Sequence, residues 1–461
     1  MNEINEKNEK NEITEIKKKT YKTIDIILFS STKLMTIITL FFTSRVIIFY
    51  ETEVLFNPVL LSALMIIFTI WDSINDPMMG SIGDKKFKFT SKWGKRYPWI
   101  IIGLGILIVS FPLIFIPPAI SDWGLFFYLL AIMFVFEGAY TMVSSSHRAL
   151  LIVKFPADKE RRKSASIGEI IRMLSVVIAM IGTPFLITNG DPKSYFIAAC
   201  ILSGFMLIIF LIQIKYSKEE PELIAQYRDE PETSLYKNFK LAIKTIIRDK
   251  PFIGIIIMFM GTVLWDTFFI ASIPYFIKYI ALADPDLEIV LYIPYILAAL
   301  IFAPISSALC KKFSRKVIFI VSILVISIPT FLIIFIHEIG IYIIIISAIV
   351  GAGTTLLNVV LFLMTLDIFD NLAKKTHIRQ EGFYNGIIDF VVRIVSLIQV
   401  PIFLLIHNLT GFIPDQLNQT DKAKFGILIH LGIIPAVVTL GFGLIGYYIY
   451  KQKNKQEIEE M

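Results

Sequence analysis

The sequence predicts an all-α polytopic membrane protein, with twelve transmembrane helices in two six-helix bundles. Three observations carry that prediction. Hydrophobic residues make up 56% of the 461 residues, and the mean hydropathy is +0.71, well above that of ordinary soluble domains. Apolar runs of about twenty residues recur along the chain, each long enough to cross a bilayer as a helix. The polar turns between them alternate between basic and acidic character. The net charge of +6 therefore belongs to loops and is not a nucleic-acid signal. Cys200 and Cys310 lie in apolar runs and read as packing residues, so no disulfide or metal framework is indicated.

Taken in order, residues 1–22 form a charged, low-complexity tail of Asn, Glu, Lys and Ile, expected to be disordered and cytoplasmic. No cleavable signal peptide is expected, because the first apolar residues follow about twenty polar ones. Span one runs from Ile26 to Tyr50 and contains Lys33 and Arg45. Span two runs from Val59 to Ile82. Span three runs from Trp99 to Ile116 and stops at Pro117 and Pro118. Span four covers Leu125 to Ser146, span five Ala165 to Ile187, and span six Tyr195 to Tyr216. These make an N-terminal bundle over 23–216.

A charged stretch at 217–250 splits the chain near its middle and reads as a cytoplasmic loop. Within it, Leu235 to Ile247 has the pattern of a surface-lying amphipathic helix. The C-terminal bundle covers 251–450. Its spans begin near Phe252, Ile289, Val317, Gly340, Tyr384 and Phe425, and a charged cytoplasmic tail covers 451–461.

One stretch stands apart. Asp72 lies about 20 Å along span two, and Asp76 follows one turn later on the same face. A carboxylate at mid-membrane costs about 2.5–3.5 kcal/mol on insertion scales, and two on one turn repel. Such a pair calls for a cation, a proton or water. The plain alternative is a solvated pair at a frayed helix end, but Met78, Met79 and Ile82 continue the apolar run. Pro77 removes one helix hydrogen bond and weakens the helix there. A basic loop follows, with Lys85, Lys86, Lys88, Lys92, Lys95 and Arg96, and aromatics at Trp93, Tyr97 and Trp99 suit headgroup level.

Basic loops follow spans two, four, six, eight and ten, whereas Glu51, Glu53, Asp122, Asp191, Asp284, Asp286 and Glu288 mark the opposite turns. That alternation places both termini in the cytoplasm. Six plus six spans around a central loop is the pattern of major facilitator carriers.

WDSINDPMMG (Trp71 to Gly80) followed by SKWGKRYPW (Ser91 to Trp99) resembles the signature of the glycoside-pentoside-hexuronide:cation symporters, the melibiose-carrier family. Leu366 to Arg393 and the turn GFIPDQLNQ from Gly411 agree with it. The resemblance implies cation-coupled sugar or glycoside symport by a multi-pass protein, without enzymatic activity. It implies a coupling-ion site, of sodium type, at Asp72, Asn75, Asp76 and Thr141, taking sodium, lithium or a proton. The residue types suit a hard cation, which favours several oxygen ligands, and the neutral oxygens favour sodium over a proton.

The implied sugar site departs from the family pattern. Span one offers STKLMTIIT and Lys33 where an Asp is expected. Ser144 stands for an Asp on span four, and Thr69 for an Arg on span two. Arg172 on span five and Arg393 on span eleven match in type. Relatives that carry lysophospholipids share the acidic pair, so an amphiphile carrier is the second reading.

Glu137, Asp266 and Trp71 complete the candidate solute-binding residues. Glu137 is read as pairing with Arg172 or Lys33, or as facing a cavity. Trp71 is read as a sugar-stacking ring or a packing residue. Arg148 is read as an inner-interface residue, and Asp389 and Arg393, one turn apart, as neutralising each other. Two remoter readings are an intramembrane enzyme using paired aspartates and a non-transporting sensor. Facing aspartate dyads come from two helices, which weighs against the first. No cofactor is expected. The expected partners are a small-molecule solute and membrane lipid, with no nucleic acid, a monomeric state and the cell membrane as location.

Overall fold

The structure, a computed structural model, describes residues 21–179, 183–188, 191–229, 246–282, 288–336, 341–376, 380–413 and 416–451. Residues 1–20 of the expected disordered N-terminal stretch, most of the expected surface helix at 235–247, Asp284, Asp286 and nearly all of the C-terminal tail lie outside the described residues, whereas Tyr21 is held by hydrogen bonds to Glu160 and Glu220.

Among the described residues, twelve helices carry the fold. They are α1 (Thr23–Glu53), α2 (Pro58–Asp84), α3 (Tyr97–Leu113), α4 (Asp122–Lys154), α5 (Asp158–Val177) and α6 (Pro192–Tyr216), followed by α7 (Lys250–Ile280), α8 (Glu288–Lys312), α9 (Arg315–Phe335), α10 (Ile341–Thr376), α11 (Glu381–Thr410) and α12 (Asp421–Lys451). Ten are long and apolar enough to cross a membrane. The other two are α3, apolar throughout but only 17 residues long, and α5, which opens on the charged turns DKERRK. No strand occurs among the described residues.

Local chemistry sets the helix ends. Asn57 caps α2 by accepting from Val59 N at 2.9 Å, with Pro58 in the first turn, where its missing N–H costs nothing. Ser121, Asp249, Ser314 and Thr420 cap α4, α7, α9 and α12 in the same way. Pro77 does not end α2, which continues to Asp84. α11 ends on Gly411, whose φ of +71° suits a residue without Cβ.

α1 is not a uniform helix. A 3₁₀ stretch, Ser31–Met35, interrupts it around Lys33. Gln213 of α6 compensates there, donating to Leu28 O and to Ser31 Oγ, both at 2.9 Å. The remainder of α1 packs through buried phenyl rings. Phe41 meets Phe111 and Phe115 edge-on at 5.9 and 5.5 Å, an arrangement worth about 0.5–1.5 kcal/mol beyond area burial.

Backbones approach closely where glycines cross, as expected when helices pack without a solvent-driven force between them. α7 and α12 cross at Gly254 and Gly446, where a Cβ on Gly254 would lie 2.7 Å from Gly446 O. The halves cross at α2 and α11, where a Cβ on Gly386 would lie 2.6 Å from Asp76 O and from Pro77 Cα. α5 against α8 is the second large contact between halves.

The loops after α2, α4, α8 and α10 gather at one end of the bundle, here called the basic end. Ion pairs cross between the halves there. Arg96 is 2% exposed between Asp84 and Glu381, and Phe383 N donates to Asp84 Oδ2 at 2.7 Å. Arg161 pairs with Asp370, and Arg315 bridges Asp158 and Asp367. Removing Arg96 would leave Asp84 and Glu381 buried without the cation they share, a loss on the order of 3–5 kcal/mol.

Candidate functional site

Asp72, Asn75, Asp76 and Thr141 come together between α2 and α4. One helix turn places Asp72 and Asp76 on a common face, with Asn75 beside them. Asn75 Nδ2 donates to Thr141 Oγ1 at 2.8 Å and to Glu137 O at 3.3 Å, and Thr141 Oγ1 donates to Asp76 Oδ1 at 3.0 Å. Asn75, Asp76 and Thr141 are all buried. The oxygens Asp72 Oδ1 and Asn75 Oδ1 are buried and accept no hydrogen bond. Stranded acceptors of this kind are expensive in a helix bundle unless a cation or proton donor meets them. Two carboxylates with amide and hydroxyl oxygens suit a hard monovalent ion. Among the described residues, no three His, Cys, Asp or Glu side chains converge as a metal site.

A protein cation already faces this group. Arg393 of α11 pairs with Asp72, and its Nε lies 2.8 Å from Asp76 Oδ2. Its Nη2 is 3.7 Å from Glu137 Oε1. Three carboxylates thus surround one guanidinium.

This corrects three expectations. Arg393 and Asp389 do not neutralise each other; each takes a partner on the opposite half. Asp389 pairs with Arg148, whose Nη1 donates to its Oδ1 at 3.1 Å. Arg148 is accordingly not an interface residue, because it lines the cavity between the halves. Nor does Glu137 pair with Arg172 or Lys33. Arg172 is held by Glu169, with Nε to Oε2 at 3.0 Å and Nη2 to Oε1 at 2.6 Å.

The cavity has a volume of about 950 Å³ and is walled by both halves. Its polar side chains include Lys33 of α1, Glu169 and Arg172 of α5, Asp266 of α7 and Asn358 of α10. Asn358 Nδ2 donates to Glu169 Oε1 at 3.3 Å, which ties α10 to α5. Lys33 reaches the cavity from the 3₁₀ stretch of α1 and over Gly168, where a Cβ would collide with its ammonium. It also sits 5.6 Å from the Phe362 ring centroid. Most of the remaining wall is Ile, Val, Leu and Phe.

Arg172 and Asp266 of the expected solute-binding residues line this cavity, as do Lys33 and Arg148; Trp71 and Ser144 do not. Trp71 stacks on Phe134 at 4.8 Å, and Ser144 Oγ donates to Thr141 O at 3.2 Å. Glu137 and Arg393 belong instead to the acidic group. Sequence reading missed Glu169 and Asn358. The signal for Glu169 was present: Glu169 and Arg172 stand three residues apart, a spacing that lets them pair within an otherwise apolar turn.

A sequence model described as MFS/sugar transport protein matches residues 28–453. The chain belongs to this family. Membership of the MFS/sugar transport family makes it a multi-pass integral membrane transporter, not an enzyme. It is 23% identical over 420 residues to the uncharacterized symporter YjmB of Bacillus subtilis, covering 89% of this chain and 88% of that one. It is 20% identical to the glucuronide carrier protein homolog of Escherichia coli, covering 86% and 85% of the two chains. The human sodium-dependent lysophosphatidylcholine symporter 1 is also 20% identical, with 88% and 80% covered. Among solved structures, the fucose:proton symporter FucP of E. coli superposes with a TM-score of 0.59 at 13% identity, covering 94% and 97%. The proton:xylose symporter XylE gives 0.62, also at 13% identity, covering 92% and 94%. These two likenesses concern the fold.

Proposed function

We propose that this carrier couples an inward cation gradient to uptake of a sugar or glycoside by alternating access. The observation that supports this most directly is that two buried oxygens beside Asp76, Asp72 Oδ1 and Asn75 Oδ1, accept no hydrogen bond. Sodium, lithium or a proton at Asp72, Asn75, Asp76 and Thr141 relieves the charge repulsion of the pair. That favours the conformation in which the cavity accepts solute. In this reading Arg172, Lys33 and Asp266 orient the solute's polar groups, and the basic end is cytoplasmic and closed by the Arg96, Arg161 and Arg315 ion pairs. The protein acts as a monomer in the cell membrane, with six-helix units at 23–216 and 251–450 joined by a cytoplasmic loop.

A second cargo class has support of its own. The wall beyond the charged residues is apolar, and phenyl and branched aliphatic groups offer few hydrogen bonds to a free sugar. An amphiphile such as a lysophospholipid would place its head at Lys33, Arg172 and Asp266 and its chain along that wall. The human lysophosphatidylcholine symporter supplies a precedent among the relatives.

Proteoliposomes carrying the purified protein separate these readings. Uptake of labelled glycosides and labelled lysolipids is measured with and without an inward sodium or proton gradient. Gradient-driven accumulation of one panel identifies the cargo class. Accumulation that ignores both gradients refutes coupling.

A further inference from the structure

We propose that Glu137 is the second berth of the Arg393 guanidinium, which moves onto it from Asp72 and Asp76 when the coupling ion arrives. This rests on the reading that the ion binds at Asp72, Asn75, Asp76 and Thr141.

Arg393 and the ion need the same two carboxylates. With Arg393 on both, an arriving cation would meet another positive charge at contact distance. The guanidinium must leave; its side chain is only 29% exposed, so an anion within reach is a better destination than the apolar wall. Asp389, one turn away on α11, is already occupied by both arms of Arg148. Glu137 is 5% exposed and lies 3.7 Å from Arg393 Nη2, and Arg393 is the one cation that pairs with it among the described residues. The shift is short enough for side-chain rotation with the backbone held. After it, the ion sits on the aspartates and the guanidinium on the glutamate, so each cation keeps an anionic partner.

Glu137 also stands one turn before Thr141 on α4, so a single helix presents an ion ligand and the berth. Glu137 is therefore a positioning residue, acting on the ion through Arg393 rather than by touching it.

The test is melting of the full-length purified protein in nanodiscs, titrated with sodium chloride or lithium chloride against choline chloride, with a parallel pH series in choline chloride. Whichever ion stabilises the unmodified protein is the probe. E137Q is expected to raise its half-saturating concentration by about tenfold or more, and E137D to restore it. R393Q, which removes the competitor, is expected to lower that concentration. In the R393Q background, adding E137Q is expected to change it by less than about twofold.

An unchanged value for E137Q alone overturns the proposal. So does an equal E137Q shift in both backgrounds, because Glu137 would then act on the ion directly. If E137Q alone does not fold, E137A takes its place in the two backgrounds, and E137D stays the rescue control. A rise with E137A in the Arg393 background that vanishes with R393Q supports the berth, and any other E137A pattern overturns it. Full ion stabilisation of D76N refutes the ion-site reading itself, a result distinct from any Glu137 outcome. If no ion stabilises the unmodified protein, both fall together.

Discussion

The protein holds two charge clusters of different balance within the helix bundle. Between α2, α4 and α11, the carboxylates of Asp72, Asp76 and Glu137 share the single guanidinium of Arg393. In the cavity, Lys33 and Arg172 face Glu169 and Asp266, and the charges cancel. A cluster with excess negative charge in a medium of low polarity is completed by a mobile cation. A balanced cluster asks for no ion, but it presents both signs of charge to a solute. The contrast suits two ligands of different character on one path, joined by α11, where Asp389 at the cavity wall stands one turn from Arg393.

Five substitutions and one control test that division, and the largest effect is expected in the acidic cluster. D76N or D72N should lower cation-stimulated uptake in proteoliposomes by at least about 100-fold, to the level seen without the ion. Normal accumulation by both variants under a sodium gradient would erase the distinction between the clusters. Next comes the seam between them. G386L places a side chain on the peptide of Asp76, and overpacking of this kind costs about 1–3 kcal/mol. A lowered melting temperature and at least about tenfold slower uptake are expected, whereas G204L, which meets open space, serves as the neutral control.

In the balanced cluster, K33A should raise the half-saturating solute concentration by about tenfold, the worth of one charge-assisted hydrogen bond. The half-saturating sodium concentration should stay within about twofold, and a parallel rise in both would merge the clusters. The smallest effect is expected for W71F, which keeps an aromatic ring against Phe134. Its uptake kinetics should change by under about twofold, and a large loss would return Trp71 to solute stacking.

Much of the fold was legible because lipid imposes a simple code: long apolar runs, charged turns and caps. α5 was the hardest helix to place. Its charged first turns pair at the basic end and its later residues face a cavity, so apolar length alone does not mark its start. The acidic pair was legible because two acids one turn apart inside an apolar run violate that code. Their partner was not. Arg393 stands 317 positions beyond Asp76 in the sequence, and only the α2–α11 crossing brings them together. Arg148 misled for the same reason: beside a basic loop it resembled an anchor, but α11 supplies Asp389 from 241 residues away.

The crossing of α2 and α11 has one more consequence. At Gly386 main chain rests on main chain, and the chain it touches is the peptide of an ion-site aspartate. No rotamer can absorb a tilt there, so any rocking of one half against the other is delivered to Asp76 undamped. The joint acts as a lever with a very short arm, its fulcrum a single residue from the load.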